Sequence, residues 1–322
     1  MSSRLLGITA ALSLVLAFAA GCGGTPAPVA APATPTAAVL ASSFPVTTKD
    51  AADRTVNIKA KPQRIVSLSP SITEDLFAIG AGDQVVGVTK YCNYPAEATK
   101  REQIGGYTPK TMSLEKIVAL KPDLVVAESR VHAEVIPTLE QLGLTVYAIN
   151  ASTMDDVYTS LRALGQITGH SDDAAFVVTD MQKRIKAVTD KTASIAKDKR
   201  PTVFWEIWDE PLMTAGPATF PGQLVDMAGG VSIFNDVASD YPQISAEEII
   251  KRDPSVIMGP DTHGDKLTTA QIVKRPGWET IKAAKQGRVY LINGDTSSRP
   301  GPRLALALED VAKALHPDLF KQ

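Results

Sequence analysis

The sequence predicts an α/β protein with two lobes, each built on a mostly parallel β-sheet and joined by a single long α-helix. Three observations predict this fold. A helix–turn–strand segment occurs twice, strands and helices alternate in both halves of the chain, and a strand-free stretch separates the two alternating regions.

The repeated segment begins at Ser113 and again at Ser245, 132 residues later (245 − 113). In each copy the Ser is suited to cap a helix, and a later Pro ends that helix before an apolar strand. Each copy also places a carboxylate, Glu115 or Glu247, in the first turn of its helix. Two copies indicate two similar lobes.

The order of elements supports a parallel sheet in each lobe. In the first half, strands are predicted at 64–69, 85–89, 124–127 and 145–149, and helices over 71–79, from 113 and over 134–142. In the second half, strands are predicted at 202–207, 256–258 and 289–292, and helices from Gly222, Ser245, Gly277 and Pro302. Between the halves, the pattern predicts one helix to Ile167, a break at Gly169-His170 and a long amphipathic helix over 171–196.

The N-terminus predicts export. A short basic start precedes an apolar stretch at 5–20 that is too short for a comfortable membrane span. It leads into Ala19-Ala20-Gly21-Cys22, which resembles a bacterial lipobox with Cys22 as the lipid-modified residue. An ordinary secretory signal cut near Ala20 is the alternative. The predicted divisions are a signal peptide at 1–22, a disordered Ala/Pro/Thr tether at 23–48, an N-terminal lobe at 49–165, a connecting helix at 166–199 and a C-terminal lobe at 200–322.

Composition excludes some classes of function. The 322 residues are 44% hydrophobic and 21% charged with a net charge of −2, so nothing predicts the basic face that nucleic acid requires. If Cys22 carries lipid, Cys92 is the only remaining thiol and no internal disulfide forms. The sequence also lacks the nucleophile elbow, the phosphate loop and the His-Glu-x-x-His motif of common enzyme classes.

Candidate ligand-binding residues follow the predicted strands, where open α/β sheets bind ligands. They are Ser69, Pro70, Ser71, Tyr91, Tyr94, Pro95 and Tyr107 in the first lobe, and Trp205, Trp208, Tyr241, Asp295 and Arg299 in the second. Such aromatic walls suit a large, flat, partly apolar ligand. The alternatives are that the aromatic residues only close the core and that Asp295 and Arg299 only pair with each other.

Two histidines are candidate metal ligands. His132 and His263 each follow the strand of a repeated segment, so either can face the cleft and supply an axial ligand. The alternative is that both are solvated loop residues.

Three segments resemble the periplasmic-binding family that serves iron-siderophore, haem and cobalamin ABC importers. They are 64–74 (RIVSLSPSITE), Tyr94-Pro95 and 114–124 (LEKIVALKPDL). The resemblance covers about Arg64 to Leu315 and is strongest to the cobalamin binders, in the Tyr91 to Pro95 loop, Tyr107 and the 295–303 loop. It implies two α/β lobes joined by one long helix. One departure is the missing Trp after the strand that ends at Glu128, for which Trp208 compensates from the other lobe.

The resemblance implies a lipid-anchored, monomeric solute-binding protein on the outer face of the cytoplasmic membrane. It would carry cobalamin or a related corrinoid to an importer permease and its ATPase subunits, without enzymatic activity or a catalytic cofactor. Glu115 and Glu247 match the positions that dock onto Arg residues of the permease dimer; the alternative is that each only stabilises its helix N-terminus. A ferric siderophore or haem is the alternative ligand, and a chelatase-like metallo-enzyme using His132 or His263 is the alternative from another class.

Overall fold

The structure is a computed structural model that describes residues 43–261 and 268–321. Its strands are β1 (Val46–Lys49), β2 (Thr55–Ile58), β3 (Ile65–Ser67), β4 (Val85–Val88), β5 (Glu102–Gln103), β6 (Leu124–Glu128), β7 (Val146–Ile149), β8 (Thr202–Asp209), β9 (Leu212–Thr214), β10 (Val231–Ser232), β11 (Val256–Pro260) and β12 (Val289–Ile292). Its helices are α1 (Pro70–Ala78), α2 (Leu114–Ala119), α3 (Ile136–Gln141), α4 (Met154–Thr168), α5 (Ser171–Thr192), α6 (Phe220–Met227), α7 (Ala246–Arg252), α8 (Thr269–Val273), α9 (Lys282–Lys285), α10 (Gly294–Ser298) and α11 (Leu304–Leu315).

The predicted two-lobed α/β architecture is confirmed. The sheet of the N-terminal lobe has the order β5-β4-β3-β6-β7, and all its neighbouring strands are parallel. The sheet of the C-terminal lobe has the order β10-β8-β11-β12, also parallel, with β9 antiparallel to β8. The long helix α5 stands between the two sheets in the sequence.

The repeated segments occupy equivalent places in the two lobes. Ser113 and Ser245 each cap a helix by accepting a hydrogen bond from the backbone N–H three residues later, at 3.2 Å in both copies. The strands that follow, β6 and β11, lie beside the first strand of their sheets, β3 and β8. The residues before the two prolines, Lys121 and Asp253, both have positive φ, 47° and 42°. The helix–turn–strand unit is therefore repeated down to its backbone turn.

A continuous hydrophobic core connects the lobes. One cluster of buried side chains includes Val126 of β6, Met258 of β11, and Val178 and Met181 of α5. Two smaller clusters fill the outer side of each sheet, beneath α2 and α3 in one lobe and beneath α7 and α8 in the other. Because packed cores deform little, this shared core restrains relative movement of the lobes.

Some element boundaries differ from the sequence prediction. The connecting helix α5 ends at Thr192 rather than near 196. The tether predicted to reach 48 overlaps β1, which begins at Val46 and pairs with β2. The turn between these strands is held by the buried carboxylate of Asp50, which accepts a hydrogen bond from the backbone N–H of Ala148 in β7 at 3.1 Å. The folded body therefore starts slightly earlier than predicted.

Other differences involve short elements. The helix predicted from Gly277 is instead a 3-10 turn at Trp278–Thr280 followed by the four-residue α9. The polar loop predicted at 295–303 begins as α10, capped by Asn293. The strands β5, β9 and β10 have only two or three residues, too few to show a periodic pattern in the sequence.

The predicted signal peptide, Cys22 and most of the tether lie outside the described residues, as does His263. Among the helices at 43–261 and 268–321, none is long and apolar enough to cross a membrane. Cys92 is a buried free thiol whose Sγ lies 3.2 Å from the hydroxyl oxygens of both Thr73 and Thr89.

Candidate functional site

A cleft of about 600 Å³ opens between the two lobes. The N-terminal lobe lines it with residues that follow the carboxyl ends of parallel strands, the position at which open α/β sheets bind ligands. Its lining residues are Ser69, Pro70, Ser71, Tyr91, Tyr107, Thr108, Thr111, Glu128 and Ala151 from this lobe, and Phe220, Tyr241, Ser298, Arg299 and Pro300 from the other.

Seven of the twelve predicted ligand-binding residues line this one cleft. They are Ser69, Pro70, Ser71, Tyr91, Tyr107, Tyr241 and Arg299. Tyr91 and Tyr241 expose about half of their surface, 51% and 46%, and they belong to different lobes. The cleft thus has an accessible aromatic ring on each side, while Tyr107 and Phe220 of α6 add two less exposed rings.

Five predicted residues do not line the cleft, namely Trp205, Trp208, Asp295, Tyr94 and Pro95. Trp205 points into the shared core and is only 2% exposed, because alternate residues of β8 face opposite sides of the sheet and Trp205 shares its side with Val203. Trp208 is 40% exposed at the end of β8, and its indole N–H donates to the carbonyl of Glu210 at 2.8 Å. The compensation predicted for Trp208 is therefore not seen. Asp295 pairs with Arg299 at 2.8 Å, but the two do not pair only with each other, because each also bonds to Asn93.

The cleft wall of the N-terminal lobe carries a chain of hydroxyl groups that ends on a carboxylate. Ser69 caps α1, and its Oγ lies 2.6 Å from Ser71 Oγ. Ser71 donates to Glu128 Oε1 at 3.1 Å, and the hydroxyl of Tyr107 donates to Glu128 Oε2 at 2.6 Å. Burial, together with the charge of Glu128, raises the pKa of Tyr107 well above its usual range. Tyr107 therefore stays a neutral donor, and the side chain of Glu128 accepts from two hydroxyl groups.

His132 is a structural residue in this fold. Its side chain is fully buried, and its Nδ1 accepts from the backbone N–H of Glu128 at 2.9 Å. The other ring nitrogen, Nε2, then carries the proton and donates to the carbonyl of Tyr107 at 2.9 Å. Burial lowers the pKa of His132, which keeps the ring neutral. With both nitrogens engaged, His132 is neither the predicted axial ligand nor a solvated loop residue.

The lobes are tied together by a buried carboxylate of α1. Glu74 is 4% exposed and receives two hydrogen bonds from Arg303, at 2.7 and 2.6 Å, and one from Arg299 at 2.7 Å. Both arginines belong to the C-terminal lobe, whereas Glu74 belongs to the N-terminal lobe. Burial alone would lower the pKa of Arg303, but its hydrogen bonds and charge interaction with Glu74 outweigh burial and raise it. Paired guanidinium–carboxylate bonds of this kind are short and directional.

A second set of bonds runs beside the first. Asn93 of the N-terminal lobe accepts from Arg299 at 2.6 Å and donates to Asp295 at 2.9 Å. Arg303 also lies over the ring of Tyr94, with 4.1 Å from its guanidinium carbon to the ring centroid. Tyr94 and Pro95 line a separate cavity of about 500 Å³ behind this network, not the cleft. Asp295 and Arg299 thus hold the lobes together.

Next to Glu74, α1 buries a second carboxyl group that is not paired. Asp75 is 1% exposed, and its Oδ1 has no hydrogen-bond partner. Burial raises the pKa of Asp75 well above its usual range, and the nearby charges of Glu74 and Glu128 raise it further. Asp75 is therefore a neutral acid, able to donate a hydrogen bond.

The arrangement supports binding by shape and hydrogen bonding. Within the ranges 43–261 and 268–321, no group of three His, Cys, Asp or Glu side chains is placed to hold a metal ion. The sequence prediction missed Glu74, Asp75 and Glu128. Glu128 ends a buried strand and follows the same rule as the predicted residues, but nothing local in the sequence distinguishes Glu74 and Asp75 from exposed helical residues.

The chain is similar to known proteins over most of its length. Residues 65–296 match the family described as periplasmic binding protein. An uncharacterized ABC transporter substrate-binding lipoprotein of Bacillus subtilis (strain 168) is 36% identical over 321 residues, covering 98% of each chain. A cobalamin-binding protein of Halobacterium salinarum is 33% identical over 282 residues, covering 86% of this chain and 75% of the relative.

Two solved structures share the fold at similar levels. The periplasmic vitamin B12 binding protein of Vibrio cholerae superposes with a TM-score of 0.68 at 28% identity, covering 81% of this chain and 99% of that one. A periplasmic heme-binding protein from Roseiflexus sp. RS-1 superposes with a TM-score of 0.71 at 27% identity, covering 80% and 99%. Fold similarity alone therefore does not separate these two ligands.

The ion pairs of Glu74 predict that Glu74→Gln lowers the free energy of unfolding substantially. Removing the carboxylate leaves two arginines facing a buried neutral group, and breaking a buried pair typically costs about 3–5 kcal/mol. Because each guanidinium group keeps some contact with solvent, we expect about 3 kcal/mol of lost unfolding free energy in urea titrations, the lower end of that range. Glu102→Gln, in an exposed pair with Lys116, is the control and should cost less than about 1 kcal/mol. Equal losses of unfolding free energy in the two variants would contradict the conclusion that Glu74 holds the two lobes together.

The raised pKa of Asp75 predicts that the free energy of unfolding depends on pH. Its folded pKa is raised, so above the ordinary Asp range, about pH 4, the unfolded chain releases a proton that the folded protein keeps. Asp75 therefore lowers the free energy of unfolding progressively as the pH rises above about 4. We expect the unfolding free energy of Asp75→Asn to gain on the wild type between about pH 4 and pH 7, measured by urea titration. Asp83→Asn, at an exposed position of the same lobe, should run parallel to the wild type. A constant difference between Asp75→Asn and the wild type would contradict a buried neutral acid.

Proposed function

Because the chain belongs to the periplasmic binding protein family, we propose that it captures cobalamin or a related corrinoid in the interlobe cleft and delivers it to an ABC importer. The observation that carries this proposal is the 600 Å³ cleft, with accessible aromatic rings from both lobes and polar groups along one wall. Ligand pockets of this size, mostly apolar with a few placed polar groups, are typical of small-molecule binding sites.

The charges of the cleft favour a neutral, amide-bearing ligand. Among the described lining residues, Arg299 is the only basic one, and its charge is already matched by Glu74 and Asp295. Glu128 adds a negative charge to the wall, where it accepts from Ser71 and Tyr107. A corrin ring carries peripheral carboxamides, whereas the propionates of haem and the chelating groups of many ferric siderophores are anionic. Anionic groups would face an unmatched carboxylate here.

The partner that receives the ligand from this protein is an ABC importer, as its family and the name of the Bacillus subtilis relative imply. We propose that lipid on Cys22 anchors the protein to the outer face of the cytoplasmic membrane, through the tether that precedes β1. The Bacillus subtilis relative, similar over 98% of this chain, carries the name lipoprotein and supports this proposal. We further propose that α5 is the connecting helix between the lobes and that the protein acts as a monomer.

The ligand proposal predicts binding that depends on aromatic side chains from both lobes. Calorimetric titration of the purified protein with cyanocobalamin should give saturable binding that exceeds the affinity for haem and for a ferric siderophore. Replacing Tyr91 and Tyr241 together with Ala should weaken cobalamin binding at least ten-fold, because ring contacts contribute about 0.5–1.5 kcal/mol each beyond buried area.

Phe176→Ala is the matched aromatic control, since this ring lies on α5 outside the cleft and is 75% exposed. Its affinity should equal that of the wild type. Binding of haem or a siderophore in place of cobalamin would overturn the corrinoid proposal while leaving the cleft as the binding site.

Docking onto the permease is proposed to use Glu115 and Glu247. Both side chains are exposed, and each is the second residue of its Ser-capped helix, α2 or α7. The local turn keeps the Glu247 side chain ionised, since the nearest backbone N–H and Ser245 lower its pKa. Two equivalent carboxylates on two lobes suit a permease that presents the same basic surface twice.

The double variant Glu115→Ala/Glu247→Ala should keep wild-type cobalamin affinity but lower uptake by vesicles containing the cognate importer, because exposed charges mainly steer and orient docking. The control is Asp172→Ala/Asp310→Ala, which removes the same charge from exposed positions on α5 and α11. Uptake that falls equally in the two double variants, or in neither, would contradict the docking proposal.

A further inference from the structure

The cleft continues inward into a small space next to the unpaired Asp75. This space, here called the inner chamber, has a volume of about 40 Å³ and is lined by Ser71, Asp75, Glu128, Ile149, Asn150, Ala151 and Pro300. Four of these residues, Ser71, Glu128, Ala151 and Pro300, also line the cleft. The inner chamber is therefore an extension of the cleft at the seam between the lobes.

The size of the inner chamber limits what can enter it. A cavity needs about 10–15 Å³ of space open to a water-sized sphere to hold one water molecule, so 40 Å³ accommodates a group of two or three heavy atoms. A whole ring or a metal complex does not fit, but the end of a side chain that projects from a larger ligand does. A ligand seated in the cleft would thus reach the chamber with one of its substituents.

One of the residues that line the chamber has an unsatisfied polar atom. Asp75 Oδ1 is buried without a hydrogen-bond partner, which is uncommon in folded proteins and points to a missing partner. Space beside this atom depends on Gly301, because a Cβ at that position would lie 2.8 Å from Oδ1. A buried acid and a glycine that leaves room beside it are what a binding site for a small polar group requires.

The hydrogen-bonding capacities on the two sides of the chamber are complementary to an amide. Asp75 is held neutral by burial and by the adjacent charges of Glu74 and Glu128, so its hydroxyl can donate. Glu128 accepts from Ser71 and Tyr107 and still has lone pairs available on its two oxygens. A terminal carboxamide offers one acceptor and two donors. A carboxylate offers no donor and would add a negative charge beside Glu128.

From this geometry we propose that the inner chamber is a subsite for a carboxamide substituent of the ligand. Asp75 donates to the amide oxygen, and Glu128 accepts from the amide nitrogen. The subsite rests on the proposed function, because the amide must project from a ligand bound in the cleft. It assigns Asp75 the role of a specificity residue that selects an amide over the corresponding carboxylate.

The test compares cyanocobalamin with its monocarboxylic derivatives, in each of which one peripheral amide is hydrolysed, by calorimetric titration. The wild type should bind at least one derivative about ten-fold more weakly than cyanocobalamin, the loss expected when a buried polar group is left unpaired. Asp75→Leu should bind cyanocobalamin about ten-fold more weakly and lose this preference. Asp75→Asn keeps a neutral side chain that can donate and should retain it.

Two further variants separate the subsite from general effects on the fold. Gly301→Ala places a Cβ 2.8 Å from Asp75 Oδ1, so it should crowd the acid and weaken cyanocobalamin binding even if Asp75→Leu fails to fold. Gln84→Leu is the matched control: Gln84 is also buried, its Oε1 also lacks a partner, and it lines neither the cleft nor the chamber. Gln84→Leu should leave affinity and preference unchanged.

The outcomes distinguish failure of the subsite from failure of the proposed function. If cyanocobalamin binds and Asp75→Leu and Gly301→Ala keep its affinity and the preference over the derivatives, Asp75 holds at most a structural water and the subsite is excluded. If the wild type binds haem, with its two carboxylates, more tightly than cyanocobalamin, both the corrinoid proposal and an amide-selective subsite are overturned.

Discussion

The buried carboxylate of Glu74 is the interaction on which the cleft depends. A carboxylate removed from water needs nearby positive charge, and within residues 43–261 and 268–321 this charge comes from Arg299 and Arg303 of the other lobe, through three bonds of 2.6–2.7 Å. Satisfying this group therefore requires the two lobes to meet at one place and at one distance. The shared core around α5 holds the lobes from one direction, and this ion-pair network holds them from another. The cleft is the space that remains between these two constraints.

The same network also sets the electrostatic character of the cleft. Arg299 borders the ligand space, but its charge is already used by Glu74 and Asp295. Glu128 keeps a negative charge on the wall, and these neighbouring charges help to keep Asp75 neutral. The result is a cleft that offers donors, acceptors and aromatic surface without an uncompensated positive charge. This combination suits a large neutral ligand with amide groups better than an anionic chelate.

Prediction from sequence worked where local patterns decide structure. Both repeated segments were located correctly because Ser capping, apolar periodicity and a stopping Pro act within about ten residues. It failed at Trp205, because the sequence does not show which face of β8 is turned to the shared core. It also failed at His132, one of whose two partners, the carbonyl of Tyr107, lies 25 residues away in the chain. The short strands β5, β9 and β10 form because neighbouring strands pair with them, and pairing partners are not visible in a local pattern.

The sequence by itself determined the two α/β lobes, the long helix between them, the repeated exposed carboxylates and most of the residues at the strand ends. These features follow from periodicity and from the rule that parallel strands end at the same edge. Only the tertiary structure decided which residues bridge the lobes, because Glu74 meets Arg299 and Arg303 across 225 and 229 residues of chain. It also decided that Asp75 is buried and unpaired. Burial and charge pairing are properties of three-dimensional neighbours, and those neighbours come from distant parts of the sequence.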